Sequence, residues 1–230
     1  MGLIKILKTQ LHYLLLLIFS MSLFACSKAI PERNFAYYND FENTDIPTKM
    51  KVYDAFGLVD SNKIARFNNN NVFGRFNSNF VVLQVDSTPA HNVLKIEFDL
   101  FLHDNWKGNF IPPGGSLPDI FQVKLDNNPI MITTFSNDNN PQSFPANYQT
   151  TMINNPALSN SWGTMEGACS KLGQKNGTSW YRLEFFTLHK GPIEMSFQDV
   201  LFTASDFCTK SWSIDNIKLT AINNKIGLLF

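Results

Sequence analysis

The clearest periodicity in the chain lies between Val93 and His103, where Leu94, Ile96, Phe98, Leu100 and Leu102 share one parity and Lys95, Glu97, Asp99 and Phe101 the other. A period of two puts one set in a core and the other outside, so the stretch predicts a strand with one buried face. The same alternation runs through Phe121, Val123 and Leu125, stops at Asp126-Asn127-Asn128-Pro129 and resumes at Ile130, Ile132 and Thr134, which predicts a hairpin. Tyr181, Leu183 and Phe185 alternate with Arg182, Glu184 and Phe186, and Ile193, Met195 and Phe197 follow Gly191-Pro192, predicting a second hairpin. Near the end, Trp212 and Ile214 hold one parity and Ile217 and Leu219 the other. The slip at Asp215-Asn216 predicts a bulge that aims a carboxylate out of the sheet. Asn68 to Asn71, set among Phe67, Val72, Phe73 and Phe76, reads as a tight turn.

Between these strands run polar, turn-rich stretches, notably Asn105 to Pro118 and Ser136 to Trp162. Long loops on a rigid sandwich are where binding sites usually sit. Only 17% of residues are charged, while Asn, Ser, Thr and Phe abound, which suits short strands and polar turns and predicts an all-β chain.

The first residues follow a different rule. Lys5 and Lys8 precede an apolar run through Leu14 to Phe19 that ends in Leu23-Phe24-Ala25-Cys26. A run of about a dozen residues is short of the roughly 18 to 20 that cross a bilayer. Its order of basic region, apolar region and cleavage site is that of an export leader. The last four residues resemble the lipobox of bacterial lipoproteins, which implies that residues 1–25 are a signal peptide and that Cys26 is acylated; ordinary signal cleavage is the alternative. Residues 26–37 then read as a tether, 38–222 as the domain and 223–230 as a tail. The expected location is the cell envelope, membrane-anchored through the N-terminal lipid, on the periplasmic or outer face of an outer membrane.

Removing the leader takes two lysines and no acid, leaving 17 basic against 19 acidic side chains, and a near-neutral surface argues against nucleic acid. With Cys26 lipidated, Cys169 and Cys208 remain as an even pair in an exported protein, which predicts a disulfide. It closes about 40 residues and contributes roughly 3 to 4 kcal/mol in the chain-entropy account.

Asn39-Asp40-Phe41-Glu42 near the mature start and Trp212-Ser213-Ile214-Asp215-Asn216-Ile217 near the end bracket these strands. Together they resemble jelly-roll domains of the galactose-binding-like, carbohydrate-binding-module type. The segments His103-Asp104-Asn105-Trp106-Lys107-Gly108-Asn109, Pro118-Asp119-Ile120-Phe121 and Thr133-Thr134-Phe135-Ser136-Asn137 are similar to jelly-roll domains of secreted bacterial proteins. The resemblance implies a jelly-roll β-sandwich and a structural calcium ion shared by Glu42 and Asp215. Asp40 and backbone carbonyls can help supply the six to eight oxygens calcium takes; alternatively, Asp40 and Asp215 only cap turns.

Sugar recognition needs a ring to stack on a pyranose and polar groups for its hydroxyls. Trp106 with Asp104, Asn105 and Asn109, and Trp162 and Tyr148 in the other long loop, are the candidates. Tryptophans in sandwiches also fill cores, as Trp212 is expected to do. Glycoside hydrolysis needs two carboxylates about 5 to 10 Å apart. Glu97 and Asp99 have a permissible spacing at i and i+2, but Lys95 shares their face as on any solvated sheet. No Gly-x-Ser-x-Gly, His-Glu-x-x-His or Gly-rich phosphate loop occurs, and His12, His91, His103 and His189 form no close pair along the chain. The leading expectation is a non-catalytic envelope lipoprotein that binds carbohydrate. The alternatives are a structural or adhesive module binding an envelope protein, and a glycoside hydrolase.

Overall fold

A computed structural model describes residues 31–43, 47–149, 153–201 and 206–224. The leader, Cys26 and residues 225–230 lie outside the described residues. The strands are β1 (Glu32–Asn39), β2 (Met50–Asp54), β3 (Gly57–Val59), β4 (Ile64–Phe67), β5 (Asn70–Phe76), β6 (Phe80–Val85), β7 (Val93–Asp104), β8 (Ile120–Leu125), β9 (Asn128–Thr133), β10 (Gly163–Met165), β11 (Thr178–Leu188), β12 (Ile193–Val200) and β13 (Lys210–Asn223). No helix occurs among the described residues. β1 reaches back to Glu32, so the end of the stretch expected to be tether is strand.

One sheet runs β10-β11-β7-β13-β5-β4, with β1 also on β13, and the other runs β3-β2-β6-β12-β8-β9. Within them, β5-β13-β7-β11 faces β6-β12-β8-β9, and from β5 to β8, and again from β11 to β13, each strand crosses to the opposite sheet. This is the jelly-roll arrangement, closed within Arg33–Asn223. The core lies between the sheets. Leu94, Ile96, Phe98, Leu100 and Leu102 of β7 join Val81, Leu83, Phe121, Val123, Met195 and Phe197 there, and the Phe98 and Phe197 rings meet edge to face at 5.1 Å. Burying each such side chain stabilises by about 1.5–3 kcal/mol.

The β8–β9 hairpin turns at Asp126 and Asn127 with φ of 48° and 64°, and β4–β5 turns at Asn68 and Asn69 with φ of 48° and 65°. Both are left-handed pairs that match the twist of the strands they join. The second predicted hairpin does not form. β11 pairs with β7 in one sheet and β12 with β6 and β8 in the other, so Gly191-Pro192 is a crossover between sheets. Adjacent alternating runs look alike in sequence whether they pair or part. The register slip in β13 does fall between Asp215 and Lys218.

At the end of the sandwich where β7 finishes, Cys169 and Cys208 form a disulfide. Arg75 reinforces it by donating to Ala168 O (3.2 Å), Phe207 O (3.2 Å) and Ser211 Oγ (3.1 Å). Buried Asp104 accepts from the N–H groups of Cys169 (3.1 Å) and Lys171 (2.8 Å). Gly108 has φ +59°, and a Cβ there would start 2.1 Å from Pro141 O, so only glycine lets these loops lie together.

Candidate functional site

The outer face of the β11-β7-β13 sheet carries the polar parity of each strand in register. Trp180 stands opposite Phe101, Arg182 opposite Asp99, and Glu184 opposite Glu97. On the other side of β7, Asp215 stands opposite Asp99 and Lys218 opposite Glu97. The face is concave. A groove of about 300 Å³ is lined by Phe67, Asn70, Asp99, Phe101, Met165, Trp180, Arg182, Asp215 and Asn216. A second cleft of about 350 Å³ shares Asp99, Arg182 and Asn216 and continues past Glu97, Lys218 and Tyr38.

The groove floor is a row of hydrogen bonds. Asn70 Nδ2 donates to Asp215 Oδ2 (2.7 Å), and Asn216 Nδ2 donates to Asp99 Oδ2 (2.9 Å) and Asp215 Oδ2 (3.2 Å). Arg182 Nε donates to Asp99 Oδ1 (3.1 Å), and its guanidinium lies 4.8 Å from the Trp162 ring centre and 5.1 Å from that of Trp180. Asp215 is 1% exposed, and burial pushes its carboxyl up to about 7, with the charges of Asp99 and Glu42 adding to the rise against its bonds from Asn216 and Asn70. Lys95 sits 2.8 Å from both Glu184 and Glu97. Those bonds, Glu184 first, raise its ammonium above its ordinary value.

The sequence candidates separate. Trp162 is 63% exposed at the groove rim, edge-on to Trp180 at 6.3 Å. Trp106 is 0% exposed and donates from Nε1 to Ser211 O (2.9 Å), so it is a core residue and offers no face to a ligand. Its polar neighbours are occupied in holding loops. Asp104 takes the backbone of 169–171, Asn105 donates to Ser170 Oγ (3.1 Å), and Asn109 accepts from Ser143 Oγ (2.9 Å) and donates to Ile153 O (3.0 Å). The half-buried Tyr148 donates its N–H to Ile132 O on β9, in the sheet opposite the groove. Glu97 and Asp99 share a face as expected, but each is tied to its own cation, Lys95 and Arg182. His91 and His189, far apart along the chain, come within hydrogen-bond distance at 2.8 Å.

Glu42 lies close enough to Asp215 for the two charges to repel, and it accepts from Asn71 N–H (3.2 Å). Asp40 is turned instead to the Tyr38 hydroxyl (3.3 Å) and the Glu42 N–H (3.3 Å). Among the described residues no three acidic, histidine or cysteine side chains gather as a metal would require. Asp215 already accepts from Asn70 and Asn216, and Glu42 from the Asn71 N–H.

Asn70, Phe101, Trp180, Arg182 and Asn216 were not singled out from sequence as ligand residues. The signal was there: Phe101 and Trp180 are aromatic rings that share their strands' outward parity with charged side chains such as Asp99 and Arg182, which marks an outer face that is not simply solvated.

No protein-family model matches the chain, and no curated protein is similar to it. Solved structures similar to the chain include two carbohydrate-binding modules. The CBM22-1 xylan-binding domain of Paenibacillus barcinonensis Xyn10C is 10% identical over 85% of this chain and 99% of that one, with a TM-score of 0.35. A family 35 carbohydrate-binding module from Clostridium thermocellum is 9% identical over 83% and 98%, with a TM-score of 0.29.

Proposed function

We propose that the protein is a non-catalytic cell-envelope lipoprotein that binds carbohydrate in the groove of the β11-β7-β13 face. The observation that carries this is the pairing of Trp180 and Phe101 rings, 6.0 Å apart and 9° from parallel, with a floor of Asn70, Asn216, Asp99 and Asp215. Rings take the apolar face of a pyranose, and short amides and carboxylates take its hydroxyls with little side-chain entropy to lose. Charge is balanced along the floor, Arg182 against Asp99 and Lys95 and Lys218 against Glu97 and Glu184, which suits a ligand rich in hydroxyls. The basic and apolar leader ending at Cys26 supports the lipid anchor.

The test is a glycan array probed with the intact protein and with Trp180→Ala. A glycan retained by the first and lost by the second supports the groove. An array without hits, or hits undiminished in the variant, rejects it.

A further inference from the structure

The groove has one closed end. Along the outer face of β7 the side chains pass from covered to open: His103, Phe101 and Asp99 are buried, while Glu97 and Lys95 are half-exposed. His103 is filled in by the Phe67 ring, edge-on at 4.6 Å, and by bonds to Thr178 Oγ1 (3.1 Å) and Ser213 Oγ (2.9 Å). Phe67 also meets Phe101 edge to face at 6.0 Å. Above them the two edges of the sheet touch, because Asn68 of the β4–β5 turn donates to Met165 Sδ of β10 at 3.1 Å. In the other direction nothing comparable bars the way among the described residues. The groove runs through Asp99, Arg182 and Asn216 into the cleft bounded by Glu97, Lys218 and Tyr38.

A polymer threaded through its middle needs two exits, and this groove offers one. We infer that it takes the terminal residue of a glycan chain, which enters past Glu97 and Lys218 and stops against Phe67, Phe101 and Trp180. This rests on the carbohydrate reading above. The test uses soluble xylan, β-glucan and galactan, measuring protein bound per gram before and after partial cleavage by an endo-acting hydrolase. Capacity is expected to rise in proportion to the chain ends created. Asn68→Gly with Met165→Ala, which removes the closing contact, is expected to gain capacity for uncleaved polymer. Capacity that stays constant or falls on cleavage overturns chain-end recognition while leaving carbohydrate binding in place. Absence of binding to all three polymers, cleaved and uncleaved, removes both.

Discussion

Trp106 and Trp180 stand in similar company. Each has Asn, Asp or Arg within a few positions and follows or sits in a strand of the same sheet, yet one ring is sealed in the core and the other walls the groove. The polar residues near Trp106 serve the backbone: Asp104 takes two N–H groups of the disulfide loop and Asn137 takes the carbonyls of Leu102 and Asp104. Those near Trp180 bond to one another across strands and leave a concavity between them. Polar residues beside an aromatic in sequence therefore do not mark a binding site; what matters is whether their hydrogen bonds close on backbone or on a shared face.

The largest effect that separates the two regions is on stability. Trp106→Ala removes a fully buried indole and its bond to Ser211 O, and about 3–5 kcal/mol should be lost, read as a fall in melting temperature of roughly 6 to 20 °C. Asp104→Ala, in the same region, leaves two N–H groups of the 169–171 loop and the Arg75 guanidinium without their carboxylate. It should cost about 2–3 kcal/mol by urea unfolding, with glycan affinity of the folded protein unchanged. A loss of affinity that exceeds the loss of stability would join the two regions again.

The groove is expected to show itself through pH. Asp215 is held up to about 7 by burial and by the charges of Asp99 and Glu42, against an ordinary value of 3.8. The folded protein therefore grips this proton more tightly than the unfolded chain. Its contribution is fully present below about pH 4 and is lost as pH rises through about 7. Asp215→Asn cannot ionise, so its stability should gain on the wild type over that interval by on the order of 2 kcal/mol, read as a rise in relative melting temperature, and hold the gain above it. Parallel curves for the two proteins would show that Asp215 is not desolvated in the groove.

Much of the scaffold could be read from period-two patterns. The strand at Val93, the Asp126-Asn127 hairpin, the slip at Asp215, the cysteine pair and the all-β class all follow from local signals, while the jelly roll was implied by the resemblance of the segments that bracket them. The partners of β11 and β12 could not be read, because pairing is set by which sheet a strand joins, a non-local matter that alternation does not encode. The groove escaped for the same reason. Asn70 and Asp215 are 145 residues apart, and only the pairing of β5 with β13 makes them neighbours. Loop composition drew attention to Trp106, whereas the parity of Phe101 and Trp180 held the better clue.

Trp162 tests that lesson at the smallest energy. It came from the same loop reading as Trp106, yet it is 63% exposed and touches the fold mainly through the Arg182 guanidinium and the edge of Trp180. Removing an exposed ring should change stability by no more than about 0.5 kcal/mol. If a sugar rests against it at the rim, affinity for the bound glycan should nonetheless fall roughly 5- to 10-fold, about 1 kcal/mol, by titration calorimetry. Trp162→Ala would then be the inverse of Trp106→Ala, one weakening the ligand and sparing the fold, the other weakening the fold. Should Trp162→Ala leave affinity untouched while Trp180→Ala abolishes it, the ligand stays below the rim, and Trp162 serves only to hold Arg182 over Asp99.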